Sequence, residues 1–350
     1  MLLAPRIKKV SKNVRFSLII CTYQRPKPLV KLLHSVKEQT LYPHEILVID
    51  GSVDTATQEI LMLHTFQNLI YYKVPEAQRG LTKQRNFGIK NVASNMDIVC
   101  FLDDDIVLTP NYFKELIGTY KRFPEALGVG GYIINEIDWR PLGKNEKVAQ
   151  NQFAYDGWVR KDGARFVLRK RVGLDTDRPP AHLPDFSHGR SVSFLPPSGK
   201  IYSVEQFMGG VASYQKNVFK SLNFSAYFEG YGLYEDADFT LRLSKKGPLY
   251  VNTAAQLYHF HEPLGRPNQF LYGKMVVRNG WYVWRVRYPK PSMKARCKWH
   301  ITALLLTLVR YVNAFKGPHR KAALSEALGR TLGWYGIIFN PPKIHKSQSV

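Results

Sequence analysis

The sequence predicts an α/β fold in which strands of a mostly parallel sheet alternate with helices, followed by a basic helical C-terminal region. Three observations carry that expectation. Four short runs rich in β-forming residues, 16–21, 45–50, 69–74 and 97–102, are almost continuously apolar, as strands covered on both faces are. Stretches with helical spacing separate them. The charge is also lopsided: of a formal +23, residues 263–325 supply thirteen Lys/Arg and no acid, while residues 1–262 carry only +8.

The elements follow in order. After the first strand, Leu29, Leu32, Leu33 and Val36 keep the i, i+3, i+4, i+7 spacing of a core-facing helix. Residues 54–64 and 82–93 read as the next two helices, and 110–123 as a fourth that opens on a proline. From 138 to about 205 the pattern gives way to Pro, Gly, Arg and scattered aromatics, so an irregular functional insertion is expected there. Regularity returns with a strand over 207–213, helices over 215–222 and 235–246, the latter stopped by Gly247-Pro248, and short strands over 249–252 and 256–259. Further on, Trp299, Ile301, Leu304, Leu305, Leu308, Val312 and Phe315 share one helical face. The expected division is a basic extension (1–15), a catalytic domain (16–262) and a basic amphipathic region (263–350). The catalytic domain divides into a donor half (16–135), the insertion (138–205) and an acceptor half (206–262).

At 45% hydrophobic residues the chain is globular rather than disordered. Cys21, Cys100 and Cys297 form no C-x-x-C pair, which reads as a reducing, cytoplasmic setting. The N-terminus lacks the apolar stretch of a signal peptide. The apolar run 301–309 is far shorter than the roughly 20 residues needed to span a bilayer.

Four polar clusters fall at predicted carboxyl ends of strands: 22–25 (TYQR), 50–54 (DGSVD), 78–80 (QRG) and 103–105 (DDD). Ligands of parallel sheets bind at that edge, so the four converge on one crevice. Three adjacent carboxylates repel one another unless a cation or strong donors intervene, and hard cations take carboxylate oxygens together with substrate phosphates.

With these residues in view, the chain resembles the family 2 glycosyltransferases, with a GT-A fold. The matching segments are 17–25 (SLIICTYQR), 49–54 (IDGSVD), 80–89 (GLTKQRNFGI), 101–105 (FLDDD), Gly209-Gly210, 234–242 (YEDADFTLR) and 258–261 (YHFH). The resemblance implies an inverting transfer from a nucleotide sugar. Thr22, Tyr23, Arg25 and Ser52 would then belong to the donor pocket. Asp50 would accept a hydrogen bond from the base, which favours a uracil or thymine nucleotide. Arg79, Lys83 and Arg85 would lie near the pyrophosphate or sugar, and Asn86 would hold the start of its helix. Asp103 and Asp105 map onto the D-x-D pattern. Asp105 would bind a divalent ion, Mn²⁺ or Mg²⁺, and Asp103 would reach the ribose or the ion's water shell. Asp104, the middle position, is expected to face solvent. His259 or His261 would complete the ion's shell. Gly209, Gly210 and Glu235 would lie on the acceptor side, and Asp236 would be the general base.

The basic region has an apolar stripe flanked by cations, with Trp281, Trp284 and Trp299 expected at headgroup level, so an anionic membrane surface is its expected partner through 263–325. That would place the protein peripherally on an inner membrane face. No nucleic-acid motif accompanies the charges. The acceptor implied is a glycan or lipid-linked precursor. Two rivals stay open: a sugar nucleotidyltransferase, which wants a Gly-rich loop where 22–25 has none, and a non-catalytic sugar-binding protein, in which Asp105 or Asp236 would be lost.

Overall fold

The structure is a computed structural model that describes residues 13–186, 188–261 and 268–344; expectations placed on 1–12, 262–267 and 345–350 lie outside them. The first half runs β1 (Phe16–Thr22), α1 (Pro26–Lys37), β2 (Glu45–Asp50), α2 (Ala56–Met62), β3 (Leu69–Lys73), α3 (Leu81–Asn91) and β4 (Ile98–Asp103). β1 pairs in parallel with β2 and β4, and β2 with β3. The near-continuous apolar strands are buried on both faces because their side chains alternate between two cores. Leu18, Ile20, Ile46 and Val48 meet Leu29, Leu32, Leu33 and Val36 of α1, whereas Ile19, Leu47, Ile49 and Phe101 face the layer of Phe224 and Phe239.

The chain continues through β5 (Ile106–Leu108), α4 (Tyr112–Arg122), β6 (Gly128–Ile133), β7 (Trp139–Pro141), β8 (Gln152–Tyr155), β9 (Trp158–Lys161) and α5 (Ala164–Arg171). The stretch 138–205 therefore holds a three-stranded antiparallel sheet, in the order β7-β9-β8, and a helix. Its strands are only three or four residues long, too short for periodicity to reveal. Next come β10 (Ile201–Val204), β11 (Val211–Gln215), α6 (Glu235–Leu243) and β12 (Leu249–His259). β11 enters antiparallel between β4 and β6, so the main sheet reads β10-β12-β6-β11-β4-β1-β2-β3, with β5 on β12. The β4-β1-β2-β3 half is parallel and the other half mixed.

Three local expectations are corrected. The helix expected over 215–222 is one 3-10 turn, Lys216–Lys220. The strand expected over 207–213 begins only at Val211, leaving 207–210 as a loop. The two strands expected over 249–252 and 256–259 are one, with a register shift between Val251 and Gln256. There the Thr253 backbone N–H and hydroxyl both donate to the Lys200 carbonyl, and the Asn252 side chain accepts from the Ala254 N–H.

Three helices complete the chain: α7 (Gln269–Arg287), α8 (Met293–Lys316) and α9 (Arg320–Phe339). α7 docks on the α/β body through Tyr282, Val283 and Val286, which meet Leu183, Phe228 and Leu241. The Trp284 Nε1–H donates to the Asp185 carbonyl, and Trp284 stacks on Trp299 of α8 at 5.5 Å between centroids. Both indoles are 1% exposed, so neither is available to the headgroup role expected of it. No helix among the described residues is long and apolar enough to cross a membrane.

Candidate active site

β1, β2 and β4 end on one edge of the sheet, and β11, running the other way, begins there. The edge is fastened by side chains. The Gln84 amide donates to the carbonyls of Thr22 (3.0 Å) and Ile49 (2.7 Å), closing the ends of β1 and β2 together. Asp50 is wholly buried; one carboxylate oxygen accepts from the Ser52 N–H and the other from the Tyr71 hydroxyl, both at 2.8 Å. Ser52 in turn accepts from the Gln24 N–H at 2.7 Å. Tyr23 is 43% exposed beside them, and Arg79 is half-buried on the turn before α3. Lys83 pairs with Glu229 at 3.4 Å.

Asp104 does not face solvent. It is 4% exposed, takes the Thr22 hydroxyl at 2.7 Å and ion-pairs with Arg25 at 3.1 Å. Burial pushes its carboxyl up to about 7, with Thr22 and Arg25 pulling the other way and Asp105 adding to the rise. The correction has a simple cause: β4 ends at Asp103, and in the turn that follows the Asp104 carboxylate points inward onto the Thr22 hydroxyl and Arg25. Asn86 is also reassigned. Its amide donates to the Phe224 carbonyl and accepts from the Phe224 N–H, so it anchors the loop before α6 rather than its own helix start.

Asp105 and His259 are brought together by strand pairing. β12 runs antiparallel to β5 with His259 opposite Ile106, which sets the imidazole next to the Asp105 carboxylate; the Phe260 N–H donates to the Asp105 carbonyl. His259 Nε2 lies 3.2 Å from Asp105 Oδ1, and its Nδ1 lies 2.9 Å from Glu136 Oε1. His261 Nε2 lies 3.2 Å from the same Glu136 oxygen, and the two imidazoles are 4.2 Å apart. Burial alone would lower His259, but its bonds to Asp105 and Glu136 raise it to about 10. An imidazolium thus stands between carboxylates at the spot where sequence reasoning expects a cation. The donor set fits one: ligand atoms about 2.1 Å from an ion and at right angles are about 3 Å apart, close to the Asp105–His259 spacing. Asp103, with its side chain 44% exposed, leaves an open side for substrate oxygens. Glu136 was invisible in the sequence because it follows β6 and meets the histidines only across the fold.

On the far side of Asp103 the chain passes close by. A Cβ on Gly210 would overlap the Asp103 carboxylate, and one on Gly209 would come within 2.6 Å of Arg85 and Glu235, so a larger residue at either position would displace these side chains. Arg85, 2% exposed, pairs with Glu235 and at 3.4 Å with Asp103. Burial pushes Glu235 up, and Arg85 holds it against that pressure. Removing either partner of such a buried pair costs about 3–5 kcal/mol. Asp236 begins α6 beside Glu235. Among the described residues its carboxylate accepts only from backbone N–H groups, those of Ala237 (2.7 Å) and Gly209 (3.2 Å), and burial raises it above the usual aspartate value against those two bonds. Asp238, on another side of the helix, is tied to Arg242 at 2.6 Å.

The structure therefore brings Thr22, Arg25, Asp50, Ser52, Arg85, Asp103, Asp104, Asp105, Gly209, Gly210, Glu235, Asp236 and His259 to one sheet edge. His261 joins through Glu136.

Comparison with known proteins agrees with this picture. Residues 17–188 match the family model for Glycosyl transferase family 2. The chain is 27% identical over 129 residues to a glucosyl-dolichyl phosphate glucuronosyltransferase of Haloferax volcanii, a match covering 36% of this chain and 40% of that protein. It is 28% identical over 109 residues to the glycosyltransferase YwdF of Bacillus subtilis, covering 29% and 37%. The matched segments thus span well under half the length of these curated relatives. Among solved structures, the fold is similar to that of the mannosyltransferase PcManGT from Pyrobaculum calidifontis, in complex with GDP-Man and Mn²⁺, with a TM-score of 0.51, 13% identity and coverage of 93% of this chain and 87% of that one. S. aureus TarS 1–349 gives a TM-score of 0.50 at 15% identity, covering 92% and 80%. At such identities the likeness is one of fold, and the fold is GT-A: a curled mixed sheet between helices, with helices appended at the C-terminus.

Proposed function

Because the chain belongs to glycosyl transferase family 2, we propose that it transfers a sugar from a nucleotide-sugar donor to an acceptor hydroxyl by inverting displacement. The observation that carries this reading is the juxtaposition at one edge of Asp105 and His259, 3.2 Å apart, with Asp236, whose carboxylate meets only backbone donors among the described residues. Thr22, Tyr23, Arg25 and Ser52 would line the nucleotide, with Arg79 and Lys83 towards the diphosphate or sugar. A uracil or thymine base rests on the family resemblance, since Asp50, the residue expected to meet it, is wholly buried and bonded to Ser52 and Tyr71.

A divalent ion, Mn²⁺ or Mg²⁺, would be held by Asp105 and His259 with Asp103 alongside and would neutralise charge on the departing diphosphate. PcManGT holds Mn²⁺ with its donor, which supports that choice. Glu136, bonded to His259 Nδ1, would orient the imidazole as carboxylates behind metal-bound histidines do. Arg85, fixed by Glu235, keeps its charge beside Asp103. Asp236 would take the proton of the acceptor hydroxyl as its oxygen bonds to the anomeric carbon; the bond to the diphosphate breaks, and its electron pair leaves with the nucleotide. Raising a carboxyl by burial improves it as a base near neutrality.

The C-terminal helices support a second assignment, peripheral contact with an anionic membrane. Ile301, Leu304, Leu308, Val312 and Phe315 of α8 lie exposed, as do Leu324, Leu328, Leu332 and Tyr335 of α9. The exposed charges around them, Lys290, Lys294, Arg296, Lys316, Arg320 and Lys321, are all cations, and Glu326 is buried between Arg310 and Arg330. An apolar face with a cationic rim fits an anionic leaflet.

The test is a screen of nucleotide sugars for Mn²⁺-dependent binding and hydrolysis. At least one uridine or thymidine sugar should bind only with the ion. Binding of none of them, with or without Mn²⁺, would overturn the proposal.

A further inference from the structure

Asp236 also lines a cavity of ≈ 300 Å³ that the account so far leaves without an occupant. It lies between α5, the loop around His188, and helices α7 and α8. Phe166, Leu183, Val283 and Leu306 give it an apolar wall, while Arg165 and Arg169 enter it from α5. Arg169 is 2% exposed. Its Nε and Nη1 donate to the carbonyls of Leu174 and His188, but Nη2 meets no hydrogen-bond partner among the described residues. His188 Nε2 is likewise buried without a partner, and burial among Arg169, Arg165 and Arg330 lowers that imidazole to about 3, so it is neutral.

The acids nearby are already spoken for. Arg190 binds Asp175 at 2.8 Å and Asp162 at 3.1 Å, and Lys170 reaches Asp162 at 2.7 Å. Among the described residues Arg165 and Arg169 form no ion pair, so they bring positive charge to a partly apolar cavity whose one lining carboxylate is Asp236, and the open Nη2 of Arg169 beside Arg165 suits a phosphate or carboxylate. A buried N–H without an acceptor is also costly enough that a partner is expected for it.

We propose that this cavity receives the acceptor, and that the acceptor carries a phosphate or carboxylate held by Arg165 and Arg169 next to an apolar group packed against Val283 and Leu306. The proposal rests on the reading of Asp236 as the base, since that residue joins the cavity to the sheet edge.

The test is calorimetric titration of the full chain with octyl phosphate, octyl glucoside and inorganic phosphate, with Mn²⁺ and uridine diphosphate followed separately. Octyl phosphate should bind at least tenfold more tightly than either of the others, and Arg165→Ala should weaken it at least tenfold. Arg165 is exposed, so that variant is expected to fold even where the buried Arg169→Gln does not; a matched melting curve checks it. Equal binding of octyl phosphate and octyl glucoside, or of octyl phosphate and inorganic phosphate, would overturn the proposal, as would an Arg165→Ala variant that binds like the wild type. Failure of uridine diphosphate to bind with Mn²⁺, while octyl phosphate binds and responds to Arg165, would instead sink the transferase reading and leave an anion site. Mn²⁺–nucleotide binding without octyl phosphate binding would sink only the present inference.

Discussion

The proposed donor edge and the proposed acceptor cavity treat their polar groups in opposite ways. At the donor edge, Thr22 is bonded to Asp104, Asp50 to Tyr71 and Ser52, and Gln84 to two strand ends, so the crevice is rigid before any ligand arrives. On the acceptor side, Asp236 has only backbone donors, Arg169 keeps a free N–H and His188 a free nitrogen among the described residues. If the proposed assignments hold, a preorganised donor site would stand beside an acceptor site completed on binding, which suits chemistry between two substrates.

The comparison can be broken at Asp236 first. Asp236→Asn should lower turnover by about 10²–10⁴-fold while leaving donor binding intact, and the rise of rate with pH in the wild type, as the raised carboxyl loses its proton, should disappear. A pH–rate profile of both proteins reads this out. Asp105→Ala comes next and should weaken Mn²⁺-dependent donor binding on the order of 100-fold, since even residues behind metal ligands are worth about 10–100-fold in affinity. Glu136→Gln sharpens the same point from behind the imidazole: metal affinity should fall by about tenfold, measured by Mn²⁺ titration.

These targets were unequally legible. The parallel strands and the four polar clusters showed in the sequence because buried strands are apolar runs and their ends are polar. Glu136 did not show, since its meeting with His259 and His261 depends on β6 and β12 pairing across more than a hundred residues. Asp104 was misread because three consecutive acids look alike in one dimension, whereas the turn after β4 sends the middle one inward onto Thr22 and Arg25. Trp284 and Trp299 were misread for a related reason: an aromatic among arginines suits a headgroup layer or a helix–helix seam equally, and only α7 packing on α8 decides between them.

Two smaller effects separate the catalytic body from its appendage. Leu304→Glu with Leu308→Glu should abolish sedimentation with anionic vesicles, yet shift stability by only about 0.5 kcal/mol per residue, because both side chains are exposed. Asp104→Asn tests the rigid edge through pH. The folded carboxyl, at about 7, lies above its ordinary 3.8, so it favours folding fully below about pH 4 and loses that contribution as pH rises through about 7. In metal-free buffer the Asn variant should therefore gain on the wild type in melting temperature across that window, by on the order of a few degrees.

The central claim is that one crevice binds the donor through Asp105 and fires through Asp236. Calorimetry of Mn²⁺-dependent nucleotide-sugar binding, run beside donor turnover for wild type, Asp105→Ala and Asp236→Asn, tests it most directly. The account predicts that Asp105→Ala loses metal-dependent binding and that Asp236→Asn binds donor like the wild type but does not turn it over. Normal binding and turnover by both variants would contradict it.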